Sequence, residues 1–178
     1  MVGAVLLADP LPFVTQLLAV IKLPALRDSK KLTALQRERI YAFAAPRLDW
    51  AVGEVSATEI DQLGLRSATD LAAGRALSKL RGVITEVIAD AGLHHPHEEQ
   101  YPTQFFVKGD ERFAQIALAS CLAKVTRDRQ MQQLSAEYPD YGWQTNVGYG
   151  SAQHYAALCQ LGPTPLHRRS FIRKVVFS

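Results

Sequence analysis

A chain of 178 residues that is 48% hydrophobic and 21% charged has the profile of one soluble globular domain with a sizeable core. Its net charge of +3, from 20 Lys and Arg against 17 Asp and Glu, permits a nucleic-acid partner without demanding one. Cys121 and Cys159 are too few, and too far from any CxxC spacing, for a disulfide framework, so they read as reduced thiols of an intracellular protein.

Val2 to Ala8 is a short apolar run that predicts a buried strand, broken by Asp9-Pro10-Leu11-Pro12. The run has no basic segment before it and no clean small-residue cleavage site after it, which argues against a signal peptide. No stretch approaches the ~18 apolar residues of a membrane span, so the expectation is a cytoplasmic protein. Phe13 to Leu23 is apolar and fits helix or strand. A helix capped by Thr33 or Asp28 runs to Ala45, with Leu35, Ile40 and Phe43 expected on one face. Trp50 to Val55 predicts a strand, and Ser56 with Glu59 matches a capping box. Ala68 to Leu80 favours helix, and Val83 to Ala89 predicts a strand delivering Asp90 at its end. Ala91 to Pro102 reads as loop and Gln104 to Val107 as strand. Arg112 to Glu137 is the longest predicted helix, apolar nearly all round in its first half and ended by Pro139. Gln153 to Leu161 is a last helix stopped by Gly162-Pro163. With no repeat or low-complexity linker, residues 1–178 read as a single mixed α/β domain.

Several residues could carry chemistry. Asp90, just past a hydrophobic strand, sits where open α/β sheets place functional groups, although a solvated loop aspartate has the same setting. Asp110, in Lys108-Gly109-Asp110, lies between a strand and a long helix. Two carboxylates from such places can converge on Mg²⁺ or Mn²⁺, which prefer oxygen ligands. The plainer role is a helix N-cap. Tyr149 lies between Gly148 and Gly150, where it could stack on a sugar or base or pack on the surface. Ser29, Lys30 and Lys31 suit phosphate oxygens, or are solvated. Lys108, Lys124, Arg127 and His167-Arg168-Arg169 could extend a basic track for a duplex backbone, unless paired with acids such as Asp128. His94, His95 and His97 lack a second ligand group at zinc spacing and are expected to be solvent-exposed.

Five motifs in order run Asp28-Ser29-Lys30-Lys31-Leu32, Lys108-Gly109-Asp110, Ala123-Lys124-Val125-Thr126-Arg127-Asp128, Gly148-Tyr149-Gly150-Ser151 and His167-Arg168-Arg169-Ser170-Phe171. Each is short, but the ordered set resembles the type 2 ribonuclease H family (ribonuclease HII) from Asp28 to Phe171. The resemblance implies an α/β fold, a ribonuclease H-like mixed sheet flanked by helices. That sheet has about five strands in the family pattern, with the first strand missing from this chain. It implies a metal-dependent endonuclease that hydrolyses RNA in RNA–DNA hybrids and at ribonucleotides embedded in duplex DNA, leaving 3′-hydroxyl and 5′-phosphate ends. Mn²⁺ or Mg²⁺ would be held by Asp90 and Asp110, while Tyr149, Ser29, Lys30, Lys108 and Arg168 would touch the substrate. A monomer is expected.

The sequence departs from the family at three places. Ala91 replaces the glycine of the family's Ile-Asp-Gly motif, and Asn146-Val147 stand where relatives usually have His-Lys. The family's opening strand, Asp-Glu-Ala-Gly-Arg-Gly, supplies two of four metal-binding carboxylates and the backbone contacts that recognise the 2′-hydroxyl. Met1 to Leu7 resembles the strand that normally follows it. One expectation is that Met1 is an internal methionine of a longer protein. The other is a catalytically impaired, hybrid-binding member. Either makes the chain as written poorly active. A generic basic interaction domain is the remaining alternative.

Overall fold

The computed structural model describes residues 1–23, 25–26 and 29–173, and in it the two N-terminal β-prone runs pair with each other. Strand β1 (Val2–Leu6) lies antiparallel to β2 (Asp49–Gly53), with Val2 opposite Gly53 and Leu6 opposite Asp49. Glycines let helices approach this ladder closely. A Cβ on Gly3 would stand 2.2 Å from the carbonyl oxygen of Ala119, and one on Gly53 would stand 1.8 Å from that of Ala72.

Helix α1 (Pro10–Ile21) settles the ambiguous run as helix. Asp9 accepts from the Leu11 N–H at 3.1 Å and Pro10 takes the first turn, so the residues that break β1 also start α1. Helix α2 (Ala34–Ala44) begins with a full capping box between Thr33 and Gln36; Asp28, the other expected cap, lies outside the described residues. Ile40 and Phe43 turn inward, but Leu35 is 62% exposed, against expectation. It stands five residues from Ile40, about 140° around the helix. Leu17 and Ile21 of α1 meet Ile40 and Phe43 of α2, together with Leu118, Cys121 and Leu122 of the long helix α5 (Ala114–Glu137).

The chain divides into two compact units, Met1–Val55 with Ala68–Val125, and Ser56–Ser67 with Thr126–Ser178. Helix α3 (Ala57–Leu77) starts at the predicted box: Glu59 accepts from the Ser56 N–H at 2.8 Å and donates its own N–H to Ser56 Oγ at 3.1 Å. Gly64, at φ 77 and ψ 160, interrupts it. In the first unit β3 (Val87–Asp90) runs parallel to β4 (Thr103–Phe106), with Asp90 opposite Phe106. The strand is shorter than the run from Val83, because a four-residue partner offers hydrogen bonds to four residues only; Val83 is 85% exposed.

The expected helix from Arg112 is also broken. A single turn, α4 (Gly109–Arg112), ends at Phe113, whose extended backbone precedes α5. In the second unit, α6 (Trp143–Asn146) and α7 (Ala152–Leu161) pack Trp143, Ala157 and Leu158 against Met131 and Tyr141. Helix α7 stops where expected, at Gly162 with φ 74, followed by Pro163. The architecture is mixed α/β, but the four strands among the described residues form two separate ladders, β1–β2 and β3–β4. One mixed sheet requires a strand hydrogen-bonded to both pairs, and the described residues contain none. No helix among them is long and apolar enough to cross a membrane.

Candidate metal centre and nucleic-acid contacts

Strand β3 ends on Asp90, and its carboxylate Oδ1 accepts the N–H of Gly109 at 2.9 Å. That places Asp90 against the residue immediately before Asp110. The local sequence allows it: a Cβ on Gly109 would come within 2.6 Å of Ile116 Cδ1 and 3.5 Å of Asp90 Oδ1. Lys108 precedes it at φ 52 and ψ 48, a left-handed conformation that costs a non-glycine residue about 1–2 kcal/mol and is found where a turn is held for a purpose. Lys108, not Asp110, occupies the cap position of α4, and its side chain makes no capping bond. Asp110 lies in the first turn itself, half-buried. The N-cap role therefore does not apply to it.

The donor set suits a hard cation. Asp90 is exposed, and its Oδ2 has no hydrogen-bond partner among the described residues. Those residues contain no group of three or more His, Cys, Asp or Glu side chains placed to hold a metal ion. One or two carboxylates, with water and substrate oxygens completing the shell, is the way Mg²⁺ is usually held.

The 3₁₀ turn Ser29–Lys31 is tied down on several sides. Ser29 is 5% exposed and its hydroxyl lies 3.1 Å from that of Ser120 on α5, so it points inward. Arg37 donates to the carbonyls of Ser29 and Leu32 at 3.0 and 2.5 Å. Lys31 forms an ion pair with Glu111, next to Asp110. Lys30 and Lys108 are exposed. Lys124, Arg127 and Asp128 all have interactions within the protein.

In the second unit Tyr149 is 70% exposed. Asn146 builds its turn, accepting the Gly148 N–H at its side-chain oxygen and the Tyr149 N–H at its carbonyl, both at 2.8 Å. Val147 and Gly148 adopt φ 44 and 84. Arg168 places its guanidinium 3.9 Å over the ring of Phe171. The residues after it are held by Asp61 on α3. Asp61 accepts the N–H of Arg169 at 2.6 Å and that of Ser170 at 2.9 Å, plus the Ser170 hydroxyl. The Ser170 hydroxyl, then its N–H, hold the Asp61 carboxyl below its usual range. Sequence reasoning missed this anchor, which spans more than a hundred residues and leaves no local pattern.

The histidine loop departs from expectation. His95 is only 6% exposed, bonded through Nε2 to Thr103 Oγ1 at 3.1 Å, and burial pushes its pKa down. His94 Nδ1 meets Glu98 at 2.9 Å and His97 Nε2 meets Ser78 at 3.1 Å. The loop folds inward because these ring nitrogens find partners along it, at the start of β4 and just past the end of α3.

The family model for Ribonuclease HII matches residues 13–174. The chain is 47% identical over 146 residues to Ribonuclease HII of Paracoccus denitrificans, covering 82% of this chain and 69% of that protein. It is 38% identical to Ribonuclease HII of Pelagibacter ubique, covering 82% of this chain and 78% of that one. Among solved structures it resembles the ribonuclease H2 from Pyrococcus horikoshii OT3, with a TM-score of 0.68 and 25% identity over 90% of this chain and 84% of that one. A match of this extent, joined to the order of motifs and an RNase H-type fold, assigns the chain to the ribonuclease HII family of nucleases.

Proposed function

We propose that this protein is a metal-dependent endonuclease that hydrolyses RNA in RNA–DNA hybrids and at ribonucleotides embedded in duplex DNA. Family membership supports the nuclease class, and the observation that carries the metal site is the bond from the Gly109 N–H to Asp90, which brings Asp90 to the Asp110 turn. Asp90 and Asp110 would hold Mn²⁺ or Mg²⁺. When bound, such cations activate a water and stabilise the leaving oxygen of a phosphodiester. Water adds to phosphorus on the 5′ side of the ribonucleotide and the P–O3′ bond breaks, leaving a 3′-hydroxyl and a 5′-phosphate.

The other residues bind and orient the strand. Lys30 and Lys108 would meet phosphate oxygens, Ser29 holding its loop through Ser120. Tyr149, presented by the Asn146 turn, would pack on the deoxyribose after the ribonucleotide, and Arg168 would contact the backbone. The protein would act as a monomer in the cytoplasm, with residues 1–178 working as one domain.

A second reading, a member that binds hybrids without cutting them, is favoured by one observation: among the described residues no group of three or more His, Cys, Asp or Glu is placed to hold a metal ion. Incubation with a duplex carrying a single ribonucleotide in Mn²⁺ separates the two. Cleavage 5′ to the ribonucleotide supports the first, and binding without cleavage supports the second. Neither binding nor cleavage would remove both.

A further inference from the structure

We propose that Asp61 is a positioning residue that fixes the turn Arg168–Phe171 and so presents Arg168 to a phosphate of a nucleic-acid strand. The inference rests on the nucleic-acid-binding reading above and goes beyond it in assigning Asp61 and Phe171. Arg169–Phe171 is a 3₁₀ turn, and Arg168, at its cap position, makes no side-chain capping bond. The cap comes instead from α3, 108 and 109 residues away: Asp61 takes the N–H groups of Arg169 and Ser170 and the Ser170 hydroxyl. All three hydrogen-bond donors are neutral, and the charge of Arg173 adds a smaller attraction to the same carboxylate.

With its backbone fixed from elsewhere, Arg168 lies over Phe171, itself 52% exposed, at 3.9 Å. Its guanidinium has no hydrogen bond or ion pair among the described residues. A guanidinium resting on an aromatic face keeps its N–H edge clear, which is the geometry for two parallel bonds to phosphate oxygens. Phe171 limits the side chain's freedom before the strand arrives, and Asp61 limits that of the turn beneath both.

The test is binding of an RNA–DNA hybrid by the full chain without divalent ions, followed by fluorescence anisotropy across a range of salt. Losing one phosphate contact lowers the slope of log affinity against log salt by about 0.7–0.9. Arg168→Ala should show that loss. Asp61→Ala should show the same loss, and the double variant no more than Arg168→Ala alone. Asp61→Asn, which keeps one acceptor oxygen for the turn, should fall between. If Asp61→Ala does not fold, Asp61→Asn against Asp61→Asn/Arg168→Ala makes the same comparison. Losses in slope that add in the double variant, or an Asp61 variant that binds less tightly with an unchanged slope, overturn the proposal and leave hybrid binding standing. An Arg168→Ala slope equal to wild type overturns it equally. A chain that binds no hybrid removes the underlying reading with it.

Discussion

Asp90 accepts a hydrogen bond from the N–H of Gly109 at 2.9 Å, tying the end of β3 to the turn that carries Asp110. The acceptor is exposed while Gly109 is buried, so the bond has a structural role apart from any bound ion. Asp90→Ala leaves a buried donor unmet and should cost about 1–3 kcal/mol of stability. Asp90→Asn keeps an acceptor and should cost much less. Urea unfolding of the two variants checks this, and equal losses would mean that the bond holds nothing.

His167 makes stability depend on pH. It is 7% exposed, and its Nδ1 accepts the Thr164 N–H at 3.0 Å, which fixes a neutral ring protonated on Nε2. Burial, then the nearby His154, pushes its pKa from 6.5 down to about 4. Because the folded value lies below the unfolded one, the unfolded chain takes up the proton first as pH falls. The stabilisation is therefore complete above pH 6.5, drains away as pH falls toward about 4, and changes no further below that. The loss should total about 3 kcal/mol. Denaturant unfolding followed through the fluorescence of buried Trp143 should show it, and His167→Gln should flatten the dependence over that window. An unchanged pH dependence in that variant would place the effect elsewhere.

Gly53→Ala tests the packing of the first ladder. The new methyl would meet backbone on α3, 1.8 Å from the Ala72 carbonyl oxygen and 2.6 Å from the Ala76 nitrogen. Backbone cannot swing aside as a side chain can, so a loss of about 3 kcal/mol or more is expected. A melting temperature equal to wild type would show that β2 and α3 are less closely set.

What could be read from the sequence depended on how far apart the partners lie. Ser56 with Glu59, Thr33 with Gln36, and Gly162-Pro163 were legible because each signal and its target fall within four residues. The ordered motifs pointed to the family, and Asp90 lies at the end of its strand as the apolar run suggested. The Asp61–Ser170 anchor and the Ser29–Ser120 bond, 109 and 91 residues apart, follow no local rule. The break at Phe113 was hidden because its neighbours continue an apolar pattern, and the inward fold of His95 because its partner Thr103 lies eight residues on, beyond the loop.

The two thiols should differ in reactivity. Cys121 is 1% exposed in the first unit's core, and burial pushes its pKa up to about 12, leaving almost no thiolate to react. Cys159 is partly exposed on α7. Native protein treated with a thiol reagent should lose one thiol quickly, identified as Cys159 by mass spectrometry, and the second only on unfolding. Fast modification of Cys121 would mean that the core around α1 and α2 opens readily.

Mn²⁺ binding by the full chain, followed by electron paramagnetic resonance, tests the metal centre most directly. The wild type should bind the ion. Asp90→Asn and Asp110→Asn should each weaken it by at least the roughly tenfold that even outer-shell changes cost, with circular dichroism unchanged. Equal Mn²⁺ affinity in all three proteins would contradict a cation held by Asp90 and Asp110.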